Sequence, residues 1–236
     1  MSLTRAIGNV FGYVLHKLVD FLTLTRVHPN VLTSIGLGIN AFAAWLFARG
    51  EFTSAGVVVL CGAVFDLVDG PVARQSNRVT RFGGFLDSVL DRYSDLILLM
   101  GLLVYYASIN RFFYIVLTAV VMTGSVMVSY TRARAENSIP SCKVGFLERP
   151  ERIVLIIIGA LFNRMAPVLW VIAILSNVTV IHRIVFTWYE TQRMDQESAA
   201  QTAPKARAAA VSKHLSEQEP AARSASAKLR AGYRSI

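Results

Sequence analysis

Asp66, Asp69, Asp87 and Asp91 are four carboxylates set in or beside stretches that otherwise read as membrane-spanning. Charge at that depth is costly and persists mainly where it faces a polar cavity and does a job. On a helix, Asp66 and Asp69 are i,i+3 neighbours, and Asp66, Gly70 and Arg74 stack at i,i+4 with Ala73 beside Asp69. A second helix would repeat Gly83, Asp87 and Asp91 every four residues. Antiparallel packing through the polar turn 75–81 would let the four acids converge, and such a group cannot stay ionised without cations. Oxygen donors without His or Cys suit hard divalent ions such as Mg2+ or Mn2+. Gly70 and Gly83 remove side-chain bulk where a large ligand could approach backbone, and Arg74 is available to a phosphate. The residues alone therefore point to a metal-dependent site for a phosphorylated ligand.

The elements that must position these groups are helices in lipid. The chain has 236 residues, 54% of them hydrophobic, and a mean hydropathy of +0.48, too apolar for a soluble domain of this length. Six spans are expected at about 31–48, 54–74, 82–106, 112–132, 153–162 and 168–188. The fifth is short against the ~20 residues a span needs, unless its helix begins in the preceding loop. Residues 1–28 show helical apolar periodicity broken by charges and read as an interfacial amphipathic helix. Residues 29–190 are expected to form one six-helix transmembrane domain that carries the acidic site. Residues 191–236 have almost no large apolar side chains and read as a disordered or marginally helical basic tail. The fold class is all-α, a polytopic membrane protein.

Net charge is +9, yet the bases gather at segment ends and in the tail, which suits anionic lipid rather than nucleic acid. Arg5, Lys17, Arg26, Arg78, Arg81, Arg134, Lys143 and Arg149 fall on one side of a six-span topology. Only Arg49, Arg111 and Arg164 fall on the other. The positive-inside rule then puts both termini and the acidic stretch in the cytoplasm. The chain is read as starting at Met1 without a cleaved leader. Cys61 and Cys142 are read as free thiols, and His182 as a polar contact rather than a metal ligand.

The spacing from Asp66 to Asp91 matches D-x2-D-G-x2-A-R-x8-G-x3-D-x3-D at every fixed position. In this the chain resembles the CDP-alcohol phosphotransferases. That resemblance implies displacement of CMP from a CDP-linked lipid, usually CDP-diacylglycerol, by an alcohol hydroxyl. It assigns Asp66, Asp69 and Asp87 to a pair of divalent ions, with Asp91 sharing a metal and acting as general base. Asp69, Gly70, Ala73, Arg74 and Gly83 would line the CDP pocket, and a homodimer is implied.

The runs 129–136 and 145–152 resemble the corresponding part of bacterial phosphatidylinositol-phosphate synthases. The resemblance assigns Arg132, Arg152 and Arg183 to the phosphate of an inositol phosphate acceptor, Arg132 standing where lysine is common. Phosphatidylglycerol-phosphate synthesis from glycerol 3-phosphate, or use of an unphosphorylated alcohol, is the alternative within the family. A cation-driven transporter and a nucleic-acid-binding membrane anchor are alternatives from other classes. Asp95 lies outside the motif and reads as a partner for Arg92 or a polar contact inside the bundle.

Overall fold

The computed structural model describes residues 17, 29–75 and 80–232, and their side chains except at 29, 69, 70, 73 and 201–232. All secondary structure among the described residues is helical: α1 (Pro29–Ala48), α2 (Phe52–Gln75), α3 (Arg81–Ser108), α4 (Phe112–Ala135), α5 (Arg149–Leu161) and α6 (Met165–Gly232). The interfacial helix expected over 1–28 lies, apart from Lys17, outside the described residues.

Local chemistry sets the ends. Pro29 suits a first helical turn because its missing N–H would have no intrahelical partner. Gly50, at φ 79°, adopts the left-handed conformation that stops α1. The N–H groups of Gly50 and Glu51 then return to the carbonyls of Phe47 and Leu46 at 2.9 and 3.0 Å. Thr80 caps α3, its extended backbone (φ −127°, ψ 151°) letting the hydroxyl accept from the Gly83 N–H at 2.9 Å. At α5, Pro150 occupies the first turn and the Glu148 N–H donates to Glu151 Oε2 at 3.0 Å. The fifth helix therefore starts inside the polar loop, earlier than apolar content alone suggests.

By length and composition three helices qualify as spans: Asn30–Ala48, Phe112–Ala135 and Met165–Ala200, with Phe52–Val68 a shorter apolar segment. The expected six are not all carried by apolarity. The acids and bases of α3 lower its hydropathy, and α5 has only 13 residues. The polar segment read as a disordered or marginally helical tail continues α6 as helix through Gly232. Its Ala, Gln, Glu, Lys and Arg are strong helix formers without any need for a core.

The bundle exposes large apolar side chains and buries several polar ones within an otherwise apolar interior. Phe42, Trp45, Phe112, Trp170, Ile181 and Trp188 are exposed, whereas Asn40, Ser94, Asp95, Ser125, Arg152 and Arg183 are buried. Water would reverse that distribution; hydrocarbon favours it. The core joins Phe47, Val59, Leu98, Leu99, Val121, Ile156 and Leu169. Helix α1 packs on α2 and α3, α4 on α3 and α6, and α5 on α2 and α6. Small residues permit the close crossings. A Cβ on Gly101 of α3 would collide with the carbonyl of Ala44 in α1, and one on Gly124 of α4 would lie 2.9 Å from Ser176 Cβ in α6.

Candidate active site

The α2–α3 pair carries the acidic half. Asp66 and Asp91 are partly buried and converge on one guanidinium: Arg149 Nη2 lies 2.6 Å from Asp66 Oδ2 and 3.1 Å from Asp91 Oδ1. Asp87 is partly buried and within electrostatic reach of Asp66, Arg149 and Arg92. Asp69, Gly70 and Ala73 lie on α2, their side chains outside the described set. Arg74 is exposed in the last turn of α2. Gly83 opens α3, where a Cβ would sit 2.9 Å from Thr80 Oγ1 and 3.3 Å from Asn30 Oδ1. Helix α1 also approaches the acids, since a Cβ on Gly36 would be 2.9 Å from Asp66 Oδ1. Sequence reasoning gave that glycine no role, because nothing local reveals which helix lies across it.

The basic half comes from α4, α5 and α6. Arg132 Nη1 and Arg183 Nη2 both donate to Glu148 Oε1, at 3.0 and 2.8 Å. Arg132 also donates to Glu136 Oε1 at 3.1 Å. Arg183 is 1% exposed and is fixed further by the Val144 carbonyl at 2.8 Å and by the Val128 carbonyl. The Thr179 hydroxyl, one turn earlier on α6, accepts from the N–H groups of Phe146 and Leu147 at 3.1 and 3.2 Å. The loop leading into α5 is thereby tied to α6.

The two halves face one cavity of about 430 Å³, whose walls include Ser88, Asp91, Asp95, Arg132, Glu148 and Arg183. Arg152 does not line it. That arginine is 1% exposed, its Nη2 pairs with Asp95, and its Nε and Nη1 have no hydrogen-bond partner among the described residues. Asp95 is thus the buried bundle contact anticipated, but its partners are Arg152 and Arg149, the latter at 3.5 Å, rather than Arg92. Arg92 instead donates to the Ser88 carbonyl on its own helix. His182 stacks on Phe146 with ring centroids 5.6 Å apart. Cys61 and Cys142 are free thiols.

Arg149 is the residue sequence reasoning missed. Its one local signal was a guanidinium in the first turn of a helix, where the positive end of the dipole disfavours cations unless acids oppose it. Among the described residues no three acidic, His or Cys side chains form a ready-made metal cage. The donors nevertheless fit a hard divalent ion. They are all carboxylate oxygens, and Asp66 and Asp91 already converge on a cationic group.

The CDP-alcohol phosphatidyltransferase family model matches residues 26–191. The archaetidylinositol phosphate synthase of Pyrococcus horikoshii is 38% identical over 171 residues, covering 72% of this chain and 88% of that protein. The phosphatidylinositol phosphate synthase of Streptomyces avermitilis is 35% identical over 216 residues, covering 85% and 88% respectively. Among solved structures, the Mycobacterium tuberculosis phosphatidylinositol phosphate synthase with CDP-DAG bound superimposes with a TM-score of 0.69 at 29% identity, covering 75% of this chain and 94% of that one. The same enzyme in complex with manganese and citrate gives 0.68 at 30% identity, covering 74% and 88%. With most of the bundle inside the match and the acidic spacing complete, the chain belongs to the CDP-alcohol phosphatidyltransferase family.

Proposed function

We propose that the protein transfers a phosphatidyl group from CDP-diacylglycerol to a hydroxyl of inositol phosphate, releasing CMP and forming phosphatidylinositol phosphate. The observation that carries this reading is the shared cavity: Asp91 on one wall, Arg132 and Arg183 on another. One space can then hold an acceptor by its phosphate while a carboxylate meets its hydroxyl. The relatives named phosphatidylinositol phosphate synthase and archaetidylinositol phosphate synthase support the acceptor class.

Asp66, Asp69, Asp87 and Asp91 would hold two divalent ions, Mg2+ or Mn2+, which when bound neutralise the pyrophosphate and the departing CMP. Asp69, Gly70, Ala73, Arg74 and Gly83 line the CDP pocket. Arg132 and Arg183 grip the acceptor phosphate, and Arg152 adds its charge from behind Asp95. Asp91 takes the hydroxyl proton as the acceptor oxygen bonds to the diacylglycerol-linked phosphorus and the bond from that phosphorus to CMP breaks. Six helices cross the bilayer, the charged α2 and α3 and the short α5 being sheltered by the three apolar spans. Residues 1–28 lie at the interface, residues 29–190 are the catalytic domain, and residues 191–236 form a polar extension. Both termini and the site face the cytoplasm, and the protein works as a homodimer.

The deciding experiment is CMP release from CDP-diacylglycerol by purified protein offered inositol phosphate, glycerol 3-phosphate, inositol or serine. Inositol phosphate should be preferred by kcat/KM; preference for glycerol 3-phosphate would overturn the acceptor assignment while leaving the donor half intact.

A further inference from the structure

Two consecutive side chains at the start of α5 point into two cradles of opposite sign. Glu148 puts one carboxylate oxygen between Arg132 and Arg183, and Arg149 puts one guanidinium nitrogen between Asp66 and Asp91. A carboxylate has the charge and acceptor geometry to imitate one edge of a phosphate, and a guanidinium supplies the positive charge of a cation. We propose that Glu148 and Arg149 are internal stand-ins for the two ligands: Glu148 fills the arginine cradle until a phosphate takes it, and Arg149 fills the carboxylate cradle until a divalent ion takes it. The inference rests on the metal and acceptor assignments proposed above.

The electrostatic need is plain. Arg183 is 1% exposed, and the side chains of Asp66 and Asp91 are 19% and 22% exposed. Like charges so far out of water are costly without a counter-charge. Glu148, at 40% side-chain exposure, is the partner with a solvent path by which to leave. Its backbone need not follow, because Thr179 and Arg183 hold Val144, Phe146 and Leu147 in place. Exchange of ligand for stand-in is therefore a side-chain movement. Because the two stand-ins are neighbouring charges of opposite sign, displacing one changes the field on the other with the backbone in place, and metal and phosphate binding become coupled.

The sign of the mutational effect separates this from a merely structural role. A scaffold residue, once removed, weakens ligand binding; an internal competitor, once removed, strengthens it. The full chain in detergent is titrated calorimetrically with Mn2+ in phosphate-free buffer and with inorganic phosphate in metal-free buffer. Glu148→Gln should bind phosphate about fivefold tighter or more, and Arg149→Gln should do the same for Mn2+. Saturating phosphate should also tighten Mn2+ binding less in Glu148→Gln than in the wild type. Unchanged or weaker binding in the variants overturns the inference, and Glu148→Gln decides it alone if Arg149→Gln does not fold. A wild-type chain that takes neither probe overturns the functional reading together with this inference. A wild-type chain that takes both, with variants unimproved, overturns only the inference.

Discussion

Asp95 and Arg152 form the most buried ion pair among the described residues, with side chains 6% and 1% exposed. Arg152→Met removes the cation but fills most of its volume, leaving Asp95 with only Arg149 Nε at 3.5 Å. Stripping one member from a buried pair costs about 3–5 kcal/mol, because the other charge stays buried and uncompensated. Arg149 still faces one oxygen of Asp95, so the lower end applies, about 3 kcal/mol. That is a fall of about 100-fold or more in the folded-to-unfolded ratio. Asp95→Leu alone should cost a similar amount by stranding Arg152. The double variant Asp95→Leu/Arg152→Met should return to within about 1 kcal/mol of wild type, because buried pairs exchange for apolar residues at little net cost. The assay is equilibrium unfolding in mixed micelles of rising SDS fraction, followed by loss of helical circular dichroism. With single costs of about 3 kcal/mol each and a double cost within about 1 kcal/mol, a coupling energy of about 5 kcal/mol is expected. Single-variant costs that simply add, with coupling under about 0.5 kcal/mol, would refute the claim that the two charges are held by each other.

Asp91→Asn should retain CDP-diacylglycerol binding yet lose about 10²- to 10⁴-fold in turnover, and full activity would sink its assignment as base. Arg132→Ala should raise the acceptor KM about tenfold with kcat little changed, while the KM for the lipid donor stays put. Chelation with EDTA should stop CMP release, and Mn2+ or Mg2+ should restore it; activity that persists through chelation contradicts the metal-dependent reading. Gly101→Ala should destabilise the bundle by about 1–3 kcal/mol, read as a lowered Tm in detergent, since the added methyl meets the Ala44 carbonyl rather than a side chain able to turn away.

Much of the scaffold was legible because lipid imposes a strong length and hydropathy signal: α1, α2, α3 and α4 begin and end within a few residues of the expected segments. The convergence of Asp66 and Asp91 was also legible, because i,i+4 arithmetic on two helices joined by a short turn leaves little freedom. Glu148 and Arg149 were not. They reach their partners across 35 and 83 residues of chain, and which side chain meets which is decided by how α5 lies between α2 and α6. Arg152 shows the same limit. The resemblance assigns it to the acceptor phosphate, and nothing local reveals that its side chain packs inward against Asp95.

The crossing of α1 and α3 at Gly101 has a mechanical consequence. There α3 lies so close to the α1 backbone that an added Cβ would meet the Ala44 carbonyl, and the contact gives α3 a fulcrum. Asp91 lies ten residues away along α3, a lever arm of about 15 Å at 1.5 Å per residue. A tilt of 5° about the fulcrum would carry its carboxylate about 1.3 Å, well beyond the ~0.2 Å tolerance of a metal–ligand distance. One degree moves it by about 0.26 Å. On the metal assignment proposed above, helix tilt at the site is held to under about one degree, and the close α1–α3 packing at Gly101 sets that limit.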